Sequence, residues 1–204
     1  MKRTKTPSAR AVTAVLSAGA LLAFAGTAQA ALQDRDLDGD SVFDAFYDTE
    51  LDITWLRNAD VNGAMDWDTA VAWADGFSFA GYDDWRLPIS DTCAGYNCTG
   101  SEMGHLWYVE LGNPAGGPMT NTGKFQNLQS FYYWSGTEYA PDTSYGWYFR
   151  TADGSQSAVN KSTHLFYALP VRPGDVPVVP EPQTHALLLA GLGVLALLRR
   201  KRTP

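Results

Sequence analysis

The stretch "DRDLDGD" sets carboxylates at alternate positions: Asp34, Asp36, Asp38 and Asp40, with Gly39 before the last and Asp44 four residues further on. Alternate carboxylates in an extended loop can converge on one hard cation, and a glycine at this place permits the sharp turn of a calcium loop. In the helix–loop–helix form the twelfth position carries a bidentate Glu. Here that position is Ala45, and Asp44 comes one residue early. The pattern is closer to the free-standing calcium loops of extracellular proteins, whose affinities lie at roughly 10⁻⁴ to 10⁻³ M. The alternative is a solvated acidic arm.

Other reactive types are sparse. Cys93 and Cys98 stand in "DTCAGYNCTG", a Gly-containing loop, and in an exported protein such a pair reads as a local disulfide. A zinc site there would want two more soft or imidazole ligands, and between the chain's two ends only His105 and His164 remain. Each histidine stands alone and reads as a surface or core polar group. Ser135 in "WSGT" lacks the setting of a nucleophile elbow. Asp and Glu are plentiful enough for a glycosidase-type carboxylate pair, but nothing selects one. No catalytic residue is assigned, and the expectation is that the protein is not an enzyme.

The elements that must hold these groups are short. "SVFDAFYDTELDITWL" predicts two strands around a turn at Thr49–Glu50. "MDWDTAVAWADGF" predicts a helix capped by Asp66, with Trp67, Ala70, Val71, Ala74 and Phe77 at helical spacing. "SEMGHLWYVELGN" predicts a second helix, capped by Ser101 and stopped by Gly112. "SFYYWSGTEYA", "YGWYFRT", "SQSAV" and "HLFYALPVRPG" read as strands, with "TADGS" as a hairpin turn. "LGNPAGGPMTNTGKF" reads as a surface loop. The class expected is α+β.

Both ends carry addresses. Lys2, Arg3, Lys5 and Arg10 precede the apolar "AVLSAGALLAFAG", and Ala28-Gln29-Ala30 is a cleavage site, so residues 1–30 read as a signal peptide for signal peptidase. At the other end Ala186 to Leu198 are uncharged and largely apolar, followed by Arg199, Arg200, Lys201 and Arg202. As a helix this stretch would span about 20 Å, short of the roughly 30 Å of a bilayer core. It suits a transient membrane segment, with its cations held inside. Pro180-Glu181-Pro182 before it completes a layout that resembles the PEP-CTERM sorting signal. That resemblance implies an exosortase-type sorting enzyme as partner, and an exported protein at the surface or in the extracellular matrix of a Gram-negative bacterium. The inner membrane would hold only the processing intermediate.

Between these signals lie seven basic residues (Arg35, Arg57, Arg86, Lys124, Arg150, Lys161, Arg172) and 21 of the 22 acidic ones. So acidic a surface argues against nucleic acid and anionic membranes, and is compatible with cations and neutral glycans. All seven Trp and all ten Tyr fall here, ample for one aromatic core.

Three ordered stretches, "AGYDDWRLP" (80–88), "YWSGTEYA" (133–140) and "VRPGD" (171–175), with "LDITWL" upstream, resemble the Lcl C-terminal domain family. The resemblance divides the chain into an acidic N-terminal segment (31–45), a domain (46–175), and a linker with the sorting helix (176–204). It implies a C-type-lectin-like fold with two short helices and a small irregular, mostly antiparallel sheet. It also implies a glycan-related binding or adhesive role, and no catalytic residues. A structural biofilm protein without a ligand site and an exopolysaccharide hydrolase are the alternatives. The motif residues also have a purely structural reading: Asp84 and Arg86 pair across a turn, Trp85 and Leu87 enter the core, and Tyr133 points away from Tyr132 and Trp134.

Overall fold

The computed structural model describes residues 32–176 and Leu192. Residues 1–30, expected to be a signal peptide, and Pro180, Glu181 and Pro182 lie outside the described residues. In chain order the elements are β1 (Gln33–Arg35), β2 (Ala45–Asp48), β3 (Ile53–Leu56), α1 (Trp67–Asp75), α2 (Glu102–His105), β4 (Tyr132–Glu138), β5 (Tyr145–Arg150), β6 (Ser155–Asn160) and β7 (Val171–Pro173). They form two antiparallel sheets, ordered β1-β2-β3-β7 and β4-β5-β6. No helix among the described residues is long and apolar enough to cross a membrane.

Local chemistry explains the elements. The β2–β3 turn closes because Asp48 Oδ1 accepts the backbone N–H groups of Glu50 and Leu51, at 3.1 and 3.0 Å. Asp66 caps α1 by accepting from the Thr69 N–H at 3.0 Å, and Trp67, Ala70 and Ala74 form its buried face. Ser101 caps α2 in the same way, through Gly104 N–H. The helix expected to run on to Gly112 instead widens after His105 into a π turn, Leu106–Glu110, closed by Leu111 N–H on the Leu106 carbonyl at 2.9 Å. Of the last predicted strand only Val171–Pro173 is extended pairing; Phe166 and Tyr167 make single bridges to Met65 and Tyr133.

Three apolar clusters form the core. β4 is the wall between the two larger ones. Tyr133 points into the cluster of Phe46, Trp55, Leu106, Trp107 and Phe149. Trp134 points the other way, onto Met65, Trp67, Ala70 and Phe166, with Tyr132 beside it. This is the period-2 alternation of a strand buried on both faces. The third cluster joins Leu37, Ala45, Leu56, Trp85 and Val176. It brings the acidic N-terminal segment into the fold, since β1 pairs with β2 and Arg35 forks Asp175 at 2.6 and 2.8 Å. The division at residue 45 is therefore not a structural boundary.

The three motif stretches meet in one seam. Arg86 and Val171 exchange backbone hydrogen bonds, and Gly136 N–H donates to the Pro88 carbonyl. Trp85 and Leu87 are buried as expected. The expected pairing of Asp84 with Arg86 does not form. Asp84 receives a bidentate fork from Arg172 at 2.7 and 2.9 Å, and Arg86 forks Glu102 at 2.8 and 2.7 Å. In extended chain, residues two apart point the same way, yet each finds a better-placed partner across the seam.

Candidate functional site

The acidic loop is partly convergent. One carboxylate oxygen from each of Asp36, Asp38 and Asp40 lies within 4.8 Å of the others. Asp36 also accepts from the N–H groups of Gly39 and Ser41, Asp38 from Asp40, and Asp40 from Val42, so the loop is folded on its own carboxylates. Asp44 faces this group: burial, then the charges of Asp38, Asp40 and Asp36, push its carboxyl up, while the Leu37 N–H it accepts opposes them. Asp34 does not join. It sits in β1 opposite Phe46 and is paired with Lys124 Nζ at 2.5 Å.

Beside the loop lies an open concavity of about 300 Å³. Phe43, Phe77 and Phe79 supply its apolar wall, Asn58 and Gln126 its amides, and Asp44 and Arg57 its charges. Phe43 is 45% exposed and Val42 52%. The rim is anchored: Arg57 donates to the Phe43 carbonyl at 2.8 Å and the Lys124 carbonyl at 3.2 Å. Aromatic rings beside a few directed hydrogen-bonding groups are the common make-up of a small-ligand site. A second hollow of about 340 Å³ is lined by Phe131, Tyr132, Tyr148, His164, Leu165 and Phe166. Its rings pack largely on one another, as where Tyr132 stacks on Phe166 at 4.7 Å.

The remaining singled-out residues are dispersed. Cys93 and Cys98 are disulfide-bonded. The loop they close is tied to β6 by Gln156, which donates to Asp91 Oδ1 and the Cys93 carbonyl. Ser135 is buried, its Oγ accepting from Thr137 N–H. His164 is exposed and bonds Thr163.

His105 is different. The sequence reading leaves it alone on a helix, but the fold surrounds it with carboxylates. Its Nε2 lies 3.7 Å from Asp48 Oδ2, 3.4 Å from Glu110 Oε1 and 3.5 Å from Glu50 Oε2. Asp48 is fully buried and the Glu110 side chain is 2% exposed. Burial, then the Asp48 charge, push the Glu110 carboxyl up, with His105 opposing.

Comparison with known families follows the same seam. Residues 44–172 match the Lcl C-terminal domain. The chain belongs to the Lcl C-terminal domain family. Residues 178–202 match the PEP-CTERM protein-sorting motif. No curated protein matches the sequence. The motif marks an exported, surface-sorted protein and implies recognition by an exosortase-type sorting enzyme. The Lcl C-terminal domain match begins at Asp44, so β1 and most of the acidic loop precede it, although they share its sheet and core.

Proposed function

We propose that the protein is a binding module of the extracellular matrix that holds neutral glycan in the concavity beside the acidic loop. The observation that carries this is the meeting of Phe43, Phe77 and Phe79 with Asn58, Gln126 and Asp44 in one open cleft. Sugar rings present C–H faces to aromatic side chains and hydroxyls to amides and carboxylates, and this lining offers both. Among the described residues only Asp44 supplies a carboxylate to the lining, where glycoside hydrolysis uses two. Binding without catalysis is the reading this favours. Calcium at Asp36, Asp38 and Asp40 would brace the cleft through Asp44 and Phe43, which directly follow the loop. The lectin-like fold implied by the family is supported by β7 closing onto β3, which brings the two ends of the domain into one sheet.

A glycan array with the purified protein, run in millimolar calcium and in chelator, tests this. Neutral glycans should be retained, and Phe43→Ala should weaken retention by at least about tenfold, the scale of a lost aromatic anchor. Retention untouched by Phe43→Ala would move the site elsewhere. An array without any signal would leave a structural matrix protein as the better reading.

A further inference from the structure

We infer that Asp48, His105 and Glu110 form a buried binding site for a divalent transition metal, with zinc the best match. Their converging atoms, Asp48 Oδ2, His105 Nε2 and Glu110 Oε1, are all buried and, among the described residues, all lack a hydrogen-bond partner. One such atom is costly to leave unsatisfied; three aimed at a common point, two of them on carboxylates, are a larger cost that a bound cation removes. The spacing fits. Ligands at about 2.1 Å around a tetrahedral ion lie about 3.4 Å apart, and the imidazole stands 3.4 and 3.7 Å from the two carboxylates, with one ligand atom from each of the three residues within 4.8 Å of the others. Imidazole with carboxylates is a zinc donor set, whereas calcium takes six to eight oxygens.

The backbone is built toward the same end. In an α-helix five residues turn about 500°, which would set His105 and Glu110 about 140° apart. The π turn at Leu106–Glu110 closes its hydrogen bond five residues on and returns both side chains to one face. Asp48 is oriented by its Oδ1, which is held by the Glu50 and Leu51 N–H groups so that Oδ2 faces inward. Glu50, 51% exposed and 3.5 Å from the imidazole, stands at the rim as an entry and a fourth donor. This site is separate from the proposed glycan cleft and does not depend on it.

Native mass spectrometry of the purified protein, stripped with chelator and then given zinc or calcium alone, tests the inference. One zinc per chain should be retained through desalting, with a higher melting temperature that calcium does not reproduce. The near-isosteric Glu110→Gln and His105→Gln should each weaken zinc binding by at least about tenfold. The variant Asp36→Asn with Asp38→Asn should retain zinc. Absence of zinc from the wild-type protein overturns the proposal without reference to any variant. So does zinc that is lost in the Asp36/Asp38 variant and kept in Glu110→Gln, which would place it in the surface loop.

Discussion

At the level of single residues, the fold is fastened by arginine forks that close its ends. Arg172 grips Asp84 in two hydrogen bonds and lies 4.5 Å over the Tyr82 ring; Arg35 grips Asp175. These bonds hold both carboxyls below the usual aspartate range. A carboxylate depressed in the folded state adds stability above its unfolded pKa and loses it as pH falls through the folded value. Glu110 works in the opposite direction. Raised by burial and by Asp48 in the metal-free protein, its protonated form there favours the folded state, and that contribution fades as pH rises from the ordinary glutamate value through the raised one. Asp84→Asn should therefore lower stability in urea by about 1 kcal/mol at neutral pH, a modest figure because Asp84 is half exposed. The gap from wild type should close in acid, below the usual aspartate range. A gap of constant size across that range would show that the charge of Asp84 is not what Arg172 holds. None of these partners could be read from the sequence. Asp84 and Arg86 stand two apart in a strand-like stretch and suggest each other, while the true partners lie on other segments. His105 carries no signal in the sequence for the same reason: its carboxylates come from a β-turn and from the far side of a π turn.

At the level of elements, capping chemistry was legible and helix width was not. Asp66 and Ser101 announce their helices because a short polar side chain before an apolar run has one economical use. Nothing comparable marks the π turn, in which Leu106 and Trp107 are both almost fully buried. The hairpin at "TADGS" was also legible, and β5 and β6 pair across it. Gly104 gives a test of how packing overrides local preference. In a free helix Gly→Ala is stabilising by up to about 1 kcal/mol. In α2 a Cβ at Gly104 would stand 1.8 Å from the Cys98 carbonyl oxygen, in the backbone of the disulfide loop. Gly104→Ala should therefore destabilise the protein by about 1–3 kcal/mol, the range for overpacking. Denaturation with urea checks the sign, and an increase in stability would mean that α2 is not seated against that loop. Because α2 also carries His105, the same variant should weaken the zinc response.

At the level of the whole molecule, the two terminal signals and the domain divide the work. The family seam of 80–88, 133–140 and 171–175 was legible as a set, and it is architectural: it joins the two sheets through Arg86, Gly136 and Val171. The cleft at Phe43 and Asn58 was not legible, because its lining comes from separated turns with no shared motif. What the sequence does carry outright is the address. The PEP-CTERM match at 178–202 ends in Arg199, Arg200, Lys201 and Arg202 behind thirteen uncharged, largely apolar residues, Ala186 to Leu198. A stretch that as a helix spans about 20 Å cannot cross a bilayer core of roughly 30 Å in comfort, and its cations resist translocation. The motif implies surface sorting through membrane processing, and we propose that the segment halts at the membrane until the sorting enzyme releases the acidic domain. Intact mass analysis of protein recovered from the native host should therefore show a species lacking both residues 1–30 and the Arg199–Arg202 cluster. In a host without the sorting enzyme the cluster should persist and the protein should fractionate with the membrane. A surface-recovered form that still carries Arg199–Arg202 would count against sorting by cleavage and make the tail a permanent anchor.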